Sequence, residues 1–274
     1  MTRYDRYMPV PITAILCVRN EEGYLRHTLS RLVRNGVRLM IIDHSSSDGT
    51  RRILDEYGAN IDRLDTLAWH GEFDLTAALQ ASARIAATVH HGWILHHDAD
   101  EVMESDEPAE SLADAFARID ATSATVINFD EFVFLPVGDD SSEGRDFHGL
   151  MRHYYFHAPE PLRLMRAWRA DAGLAQTDGG HRLIGRNMTV HGRNLALRHY
   201  PFLSQAHARR KYRDRRFAAR DLARGWHSNR IELVESDMDF PPVARLKFWT
   251  PGQALDTSEP WTSHYWTERK ARRQ

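Results

Sequence analysis

Two carboxylates stand two residues apart in Asp98-Ala99-Asp100, with Trp93-Ile94-Leu95-His96-His97 before them and Glu101 after. In extended backbone that spacing sends both side chains to one side, with Cα atoms about 6.5 Å apart. Carboxylates so placed, just past a strand, can hold one hard divalent cation and the phosphates it bridges. Open α/β sheets bind ligands at the C-terminal ends of their strands. A bare Asp-x-Asp recurs by chance; its place directly after an apolar run gives it weight. Asp43 closes a second apolar run and precedes Ser45-Ser46-Ser47-Asp48-Gly49-Thr50. Its carboxylate can accept hydrogen bonds from a base or a ribose, or it can cap that turn.

These residues need strands that end along one edge, and the first third of the chain supplies them. Residues 12–18 read as a buried strand. Asn20 is placed to cap a helix carrying Leu25, Leu29, Leu32 and Val33 at helical spacing, and Gly36 to end it. A strand over 37–43, a short helix over 50–57 and a longer helix opened by Asp74 follow. Then come the strand 93–97, a helix capped by Ser105 or Asp106 with Pro108 in its first turn, and a strand over 125–129. A β-α-β-α-β order with buried strands predicts an α/β fold, a mostly parallel sheet with flanking helices. Past Phe134 the pattern weakens: a polar loop over 136–146, strands over 162–168 and 196–200, a tight loop over 177–181, and a basic helix over 204–224. The tail after Pro241 shows no clear periodicity.

The 274 residues suit one large domain or one domain with an appendage, and 42% apolar residues suffice for a core. The net charge of −2 provides no global field toward nucleic acid or membrane. Cys17 is the only cysteine, reads as a small buried core residue, and cannot form an internal disulfide, which fits a reducing compartment. No signal peptide is visible in the first residues and no run approaches a membrane span, so a cytoplasmic protein is expected.

Val18-Arg19-Asn20-Glu21-Glu22, Ile41-Ile42-Asp43-His44-Ser45-Ser46-Ser47-Asp48-Gly49-Thr50 and Trp93-Ile94-Leu95-His96-His97-Asp98-Ala99-Asp100-Glu101 together resemble the family 2 glycosyltransferases of the GT-A fold. Order and spacing match over residues 10–135, and Gly179-Gly180-His181 and His199-Tyr200-Pro201 are similar to a branch of that family. The resemblance implies a nucleoside-diphosphate-sugar donor, commonly a UDP-sugar, and Mn²⁺ or Mg²⁺. It implies that Asp43 and the backbone near Val18 and Asn20 contact the nucleoside. Asp98 would lie near ribose and metal, Asp100 would be the main ligand, and transfer would invert the anomeric centre with a carboxylate as base. His44 stands where a second acid often follows the strand-end Asp, and that is a departure from the pattern. The expected organisation is a GT-A domain over 1–203, nucleotide-sugar-binding in 10–135 and acceptor-side in 136–203, with a basic helical appendage over 204–274.

The first choice for the base is Asp178, between Thr177 and two glycines on a loop that can approach a bound sugar. Glu131 and Glu101 are its rivals, and each of the three also reads as a loop acid. His181 follows two glycines and can contact the donor sugar or diphosphate. His199 ends a strand before Pro201 and can face Asp100 as a third metal ligand or hydrogen-bond a neighbouring loop. The basic run from His207 to Arg220 reads as a solvated face, as a source of a diphosphate contact through Lys211 or a neighbouring arginine, or as a peripheral contact with anionic lipid at the inner membrane face. The acceptor is expected to be a saccharide or a lipid-linked hydroxyl, and no nucleic-acid motif accompanies the basic run. Two alternatives stand beside this reading: a sugar-nucleotide nucleotidyltransferase, which usually carries a glycine-rich Arg/Lys loop where Arg19-Asn20-Glu21-Glu22 stands, and a non-catalytic nucleotide-sugar-binding module.

Overall fold

A computed structural model of the chain describes residues 10–137, 142–213 and 215–273. The amino-terminal residues read for a signal peptide, part of the 136–146 loop and the side chain of Asp178 lie outside the described residues. The first half alternates as expected: β1 (Ile12–Val18), α1 (Leu25–Arg34), β2 (Arg38–Asp43), α2 (Thr50–Glu56), β3 (Ile61–Thr66), α3 (Leu75–Ala86) and β4 (Trp93–His96). Strands β4, β1, β2 and β3 lie side by side in that order, all parallel. α1 buries Leu25, Leu29 and Leu32. Gly36, at φ 68°, turns the chain out of it, and the Val37 N–H donates to Leu32 O at 3.1 Å to satisfy an end carbonyl. Asp74 caps α3, accepting from the Ala77 N–H at 2.9 Å.

Two expected caps are corrected. α1 begins at Leu25, not after Asn20. Asn20 takes a left-handed φ of 56°, which Asn tolerates better than most residues, and its Oδ1 accepts from the Ser47 N–H at 2.7 Å. The helix expected to start at Ser105 or Asp106 is α4 (Leu112–Asp120), capped by Ser111, whose Oγ accepts from the Asp114 N–H at 3.1 Å. A strand unmarked in the sequence, β5 (Glu101–Glu104), comes first, so Asp98 and Asp100 sit in a tight turn between two strands.

The remaining elements are β6 (Val126–Leu135), α5 (Phe147–Leu150), β7 (His153–His157), β8 (Leu164–Arg169), β9 (Ala175–Thr177), β10 (Arg182–Ile184), β11 (Leu195–His199), α6 (Gln205–Arg213), α7 (Ala219–Leu222), β12 (Lys247–Phe248) and α8 (Tyr265–Arg273). The sheet continues beyond β4 through β8, β6, β7 and β12, each pairing antiparallel to its neighbour. β11 runs parallel to β6 and antiparallel to β5. The result is an α/β fold whose parallel half carries the helices and whose other half curls around the strand ends.

The segment expected as an appendage over 204–274 is packed into this curl. Phe202, Ala208, Met238, Tyr265 and Trp266 form one cluster with Val133, Leu135 and Tyr155. The expected single helix is split in two because Arg216 and Ala218 bond Phe73, through Phe73 N–H to Arg216 O at 2.7 Å and Ala218 N–H to Phe73 O at 3.0 Å. The buried Asp221 then accepts from the Leu75 N–H at 2.7 Å and the Thr76 N–H at 3.3 Å, occupying orphan donors at the start of α3. The basic run is therefore not a plain solvated face: Arg209 pairs with Glu235 and Asp239, Arg210 with Glu143, Lys211 with Asp100 and Arg220 with Asp74. Among the described residues no helix is long and apolar enough to cross a membrane.

Candidate active site

The C-terminal ends of β1 and β4 open into two cavities of about 520 and 540 Å³ that share Cys17, Glu21, His96, Asp98, Lys211 and Arg215, and so form one cleft. Cys17, half-buried, packs against the core and also lines this cleft, and burial raises its thiol to about 12. At one end of the cleft the Arg19 guanidinium lies 3.6 Å from the centre of the Trp69 ring, and His44 meets the same ring edge-on at 5.2 Å. Val18 and Asn20 line this end, as their positions at the end of β1 require. Asp43 is buried, and its Oδ1 accepts from the Ser46 N–H at 2.9 Å, so in this structure it caps its turn.

At the other end the Asp98-Ala99-Asp100 turn meets the end of β11. Residue His199 lies opposite Glu101 in the β11–β5 ladder, and the Tyr200 N–H donates to Asp100 O at 2.8 Å. That register puts His199 Nε2 3.6 Å from Asp100 Oδ2. The other ring nitrogen, Nδ1, lies 2.7 Å from Glu131 Oε1. A carboxylate only accepts, so Nδ1 donates to Glu131, and Nε2 is the ring atom turned toward Asp100. Among the described residues no group of three or more His, Cys, Asp or Glu side chains is arranged to hold a metal ion. Asp100 and His199 make a pair, and Lys211 Nζ sits 3.0 Å from Asp100 Oδ2, so this oxygen already faces a positive charge. One carboxylate oxygen and one imidazole nitrogen are donor types that suit a divalent cation.

Charge pairing sets the ionisation here. Burial by itself would raise the Asp100 carboxyl, but Lys211 and His199 hold it well below the usual range. Burial acts the same way on Asp98, and Arg166 overrides it from 2.9 Å. Arg166 also holds Glu101 at 2.7 Å; burial still wins there and lifts that carboxyl to about 7. Glu131 is buried and fully engaged, by Arg163, by His157 Nδ1 at 3.0 Å and by His199. Burial keeps the His96 and His157 imidazoles neutral, near 4, and holds His181 well below the ordinary imidazole range.

The hairpin β9–β10 brings the 177–181 loop to this end. Gly179 and His181 line the cavity. Gly180 has φ 83°, and a Cβ there would come within 2.8 Å of Leu79 Cδ2, so the glycine lets the loop lie against α3. The backbone of Asp178 is in this turn. The fold thus brings Asp98, Asp100, Glu131, His181, His199 and Lys211 to one end of the cleft, while Asp43 stays in its turn. Sequence reading missed Trp69, His157, Arg163, Arg166 and Arg230, and had Arg215 only as a member of the basic run. Arg163 and Arg166 lie in a run that alternates as a strand, and their charges inside it were the available signal; the others carried none.

The chain matches glycosyl transferase family 2 over residues 13–157, more than half its length. No curated protein matches the sequence. Among solved structures, TarS of S. aureus is 14% identical with a TM-score of 0.44 over 74% of this chain and 39% of that one. The mannosyltransferase PcManGT from Pyrobaculum calidifontis, in complex with GDP-Man and Mn²⁺, is 14% identical with a TM-score of 0.39 over 75% of this chain and 61% of that one. GalNAc-T7 with UDP, GalNAc and Mn²⁺ is 13% identical with a TM-score of 0.40 over 72% and 45%. The chain thus spans less than two thirds of the length of each of these structures. With strand ends, carboxylate turn and family match in register over its first half, the chain belongs to glycosyl transferase family 2.

Proposed function

We propose that this cleft moves a glycosyl group from a nucleoside-diphosphate sugar, a UDP-sugar first, to an acceptor hydroxyl, with inversion and with a divalent cation. The observation that carries the proposal is the Asp100–His199 pair, oriented by Glu131, at the junction of two cavities of substrate size. The nucleoside occupies the end lined by Arg19, His44 and Trp69, where a base can stack on an aromatic face already dressed by a guanidinium. Lys211 and Arg215, shared by both cavities, take the diphosphate oxygens. Asp100 and His199 hold the cation, with Asp98 beside them, and Mn²⁺ suits a mixed oxygen and nitrogen set better than Mg²⁺. When bound, the cation supplies Lewis-acid stabilisation to the departing diphosphate.

The sugar then lies toward His181, whose neutral imidazole hydrogen-bonds a hydroxyl without adding charge. Asp178 takes the proton from the acceptor hydroxyl as it attacks the anomeric carbon. Glu131 is reassigned from rival base to positioning residue, because Arg163, His157 and His199 leave it no free acceptor for a proton in flight. With a cation held by Asp100, Lys211 would be free to pair with the phosphates. The test is a thermal-shift titration with UDP and GDP, each with and without Mn²⁺, on wild type and Asp100→Asn, followed by UDP release from a UDP-sugar. A ligand that binds only the folded state raises the melting temperature. The expected result is a Mn²⁺-dependent rise in wild type that Asp100→Asn loses. Equal rises in both proteins overturn the metal assignment, and no rise with any nucleotide overturns the donor class.

A further inference from the structure

At the reaction end of the cleft the four carboxylates of the Asp98 turn and β6 already have cationic partners. Asp98 and Glu101 share Arg166, Glu131 has Arg163, and Asp100 has Lys211. The donors on the far wall are not matched in return. The Arg230 guanidinium lines the cavity and makes no ion pair or hydrogen bond among the described residues, only a ring contact with Tyr212 at 6.0 Å. Trp266 lines the same cavity, is 1% exposed, and its indole Nε1 has no partner. Arg166, likewise buried, keeps Nε unpartnered. Nε1 of tryptophan and the guanidinium nitrogens donate and never accept. Unmatched buried donors cost free energy unless a ligand supplies acceptors. Burial and the neighbouring Arg166 and Arg230 push the Arg163 guanidinium down to about 10, as expected of cations crowded together without enough counter-charge.

We infer that the far wall of the cleft, built by Arg230 and Trp266 from the C-terminal segment, binds an oxyanion carried by the acceptor, a phosphate or a carboxylate. The inference rests on the donor reading above for the word acceptor, but the anion site stands on its own residues. Arg230 lies away from Lys211 and Arg215 along the chain and lines only the reaction-end cavity, whereas those two also line the nucleotide end. An anion here therefore sits beside the diphosphate and does not replace it. A guanidinium offers two parallel N–H groups to such a group, which selects phosphate or carboxylate over a neutral hydroxyl.

The test is calorimetric titration of the full chain, loaded with UDP and Mn²⁺, with two matched pairs of probes: glycerol 3-phosphate against glycerol, and glucuronate against glucose. The expected result is that at least one anionic probe binds 10-fold or more tighter than its neutral partner. Arg230→Gln then removes that margin, Arg230→Lys restores part of it, and UDP affinity stays the same in both. The better probe tells phosphate from carboxylate. Equal binding of charged and neutral probes overturns the inference, as does an anionic probe indifferent to Arg230→Gln or one that displaces UDP. If UDP itself does not bind, the donor reading fails; the same probes titrated without it still decide the anion site. Should Arg230→Gln lose its cooperative melting, Trp266→Phe, which removes the indole donor and keeps the ring, carries the same comparison.

Discussion

The two ends of the cleft are built from different material. At the nucleotide end the ring and guanidinium contacts of Arg19, His44 and Trp69 come from neighbouring segments of chain, at the ends of β1 and β2 and after β3, while α3 and the α6 region close the cavity. The reaction end is assembled from β4, β6, β8, β11, the β9–β10 loop, α6 and the C-terminal tail, and charged side chains and imidazoles make up about half of its lining. Groups that share partners in one buried network do not contribute independently. The nucleotide end should lose a side chain with a local effect, whereas the reaction end should answer any single loss as a unit.

The largest effect tests the group that touches the acceptor. Asp178→Asn is expected to lower kcat by about 10²–10⁴-fold, with UDP affinity nearly unchanged. If transfer by this variant is near normal while Glu131→Gln is dead, the two roles change places. Next comes Asp100→Asn, with an expected loss of about 10²–10³-fold from removing charge stabilisation at the departing diphosphate and circular dichroism like wild type. Full turnover at saturating Mn²⁺ would take Asp100 out of the metal site.

Glu131→Gln should weaken Mn²⁺ activation by about 10–100-fold, the usual consequence of losing the group that orients a ligating histidine, while UDP binds equally well without metal. The sharper form is a double-mutant cycle. Glu131→Gln and His199→Ala should be strongly non-additive in the Mn²⁺ titration, and Trp69→Ala combined with His199→Ala additive. Additivity in the first pair would falsify the network. By itself Trp69→Ala should raise KM several-fold, in line with about 0.5–2 kcal/mol for a cation–π face, and leave kcat nearly intact. A collapse of kcat would mean that the nucleotide end is coupled to the chemistry after all.

The smallest change per group is in stability. Burial holds the His96, His97 and His157 imidazoles near 4 in the folded chain, against 6.5 for the free side chain. Between these values the unfolded chain binds protons that the folded one does not, so stability falls as pH drops through that window and is unaffected above it. Glu21 and Glu101, raised by burial to about 8 and about 7, act with the opposite sign. The neutral histidines outnumber them, so calorimetric Tm should fall between pH 6.5 and pH 4. A Tm that rises over that range would show that the carboxylates dominate.

Much of the scaffold was legible in residue order. An apolar run such as 12–18 has few alternatives to a buried strand, Asp74 offers an oxygen where α3 needs one, and Gly36 supplies the positive φ that ends α1; each is decided by neighbours in the chain. The same holds for the Asp98–Asp100 spacing and for the loop of Gly179 and Gly180. Tertiary structure decided what meets what. His199 reaches Asp100 because β11 pairs with β5 in one register of several possible, and a slip of one residue would have turned His199 to the other face. Glu131 reads in sequence as an acid free to work as a base, and it becomes a holding group because β7 and β8 deliver His157 and Arg163 to it. Arg215 enters the cleft where Phe73 bonds Arg216 and Ala218 and breaks the helix that the sequence pattern would have continued. Local propensity acts over a turn or two of chain, but a buried charge is set by whichever partners the long-range packing brings within hydrogen-bond reach, and no spacing along one segment records that.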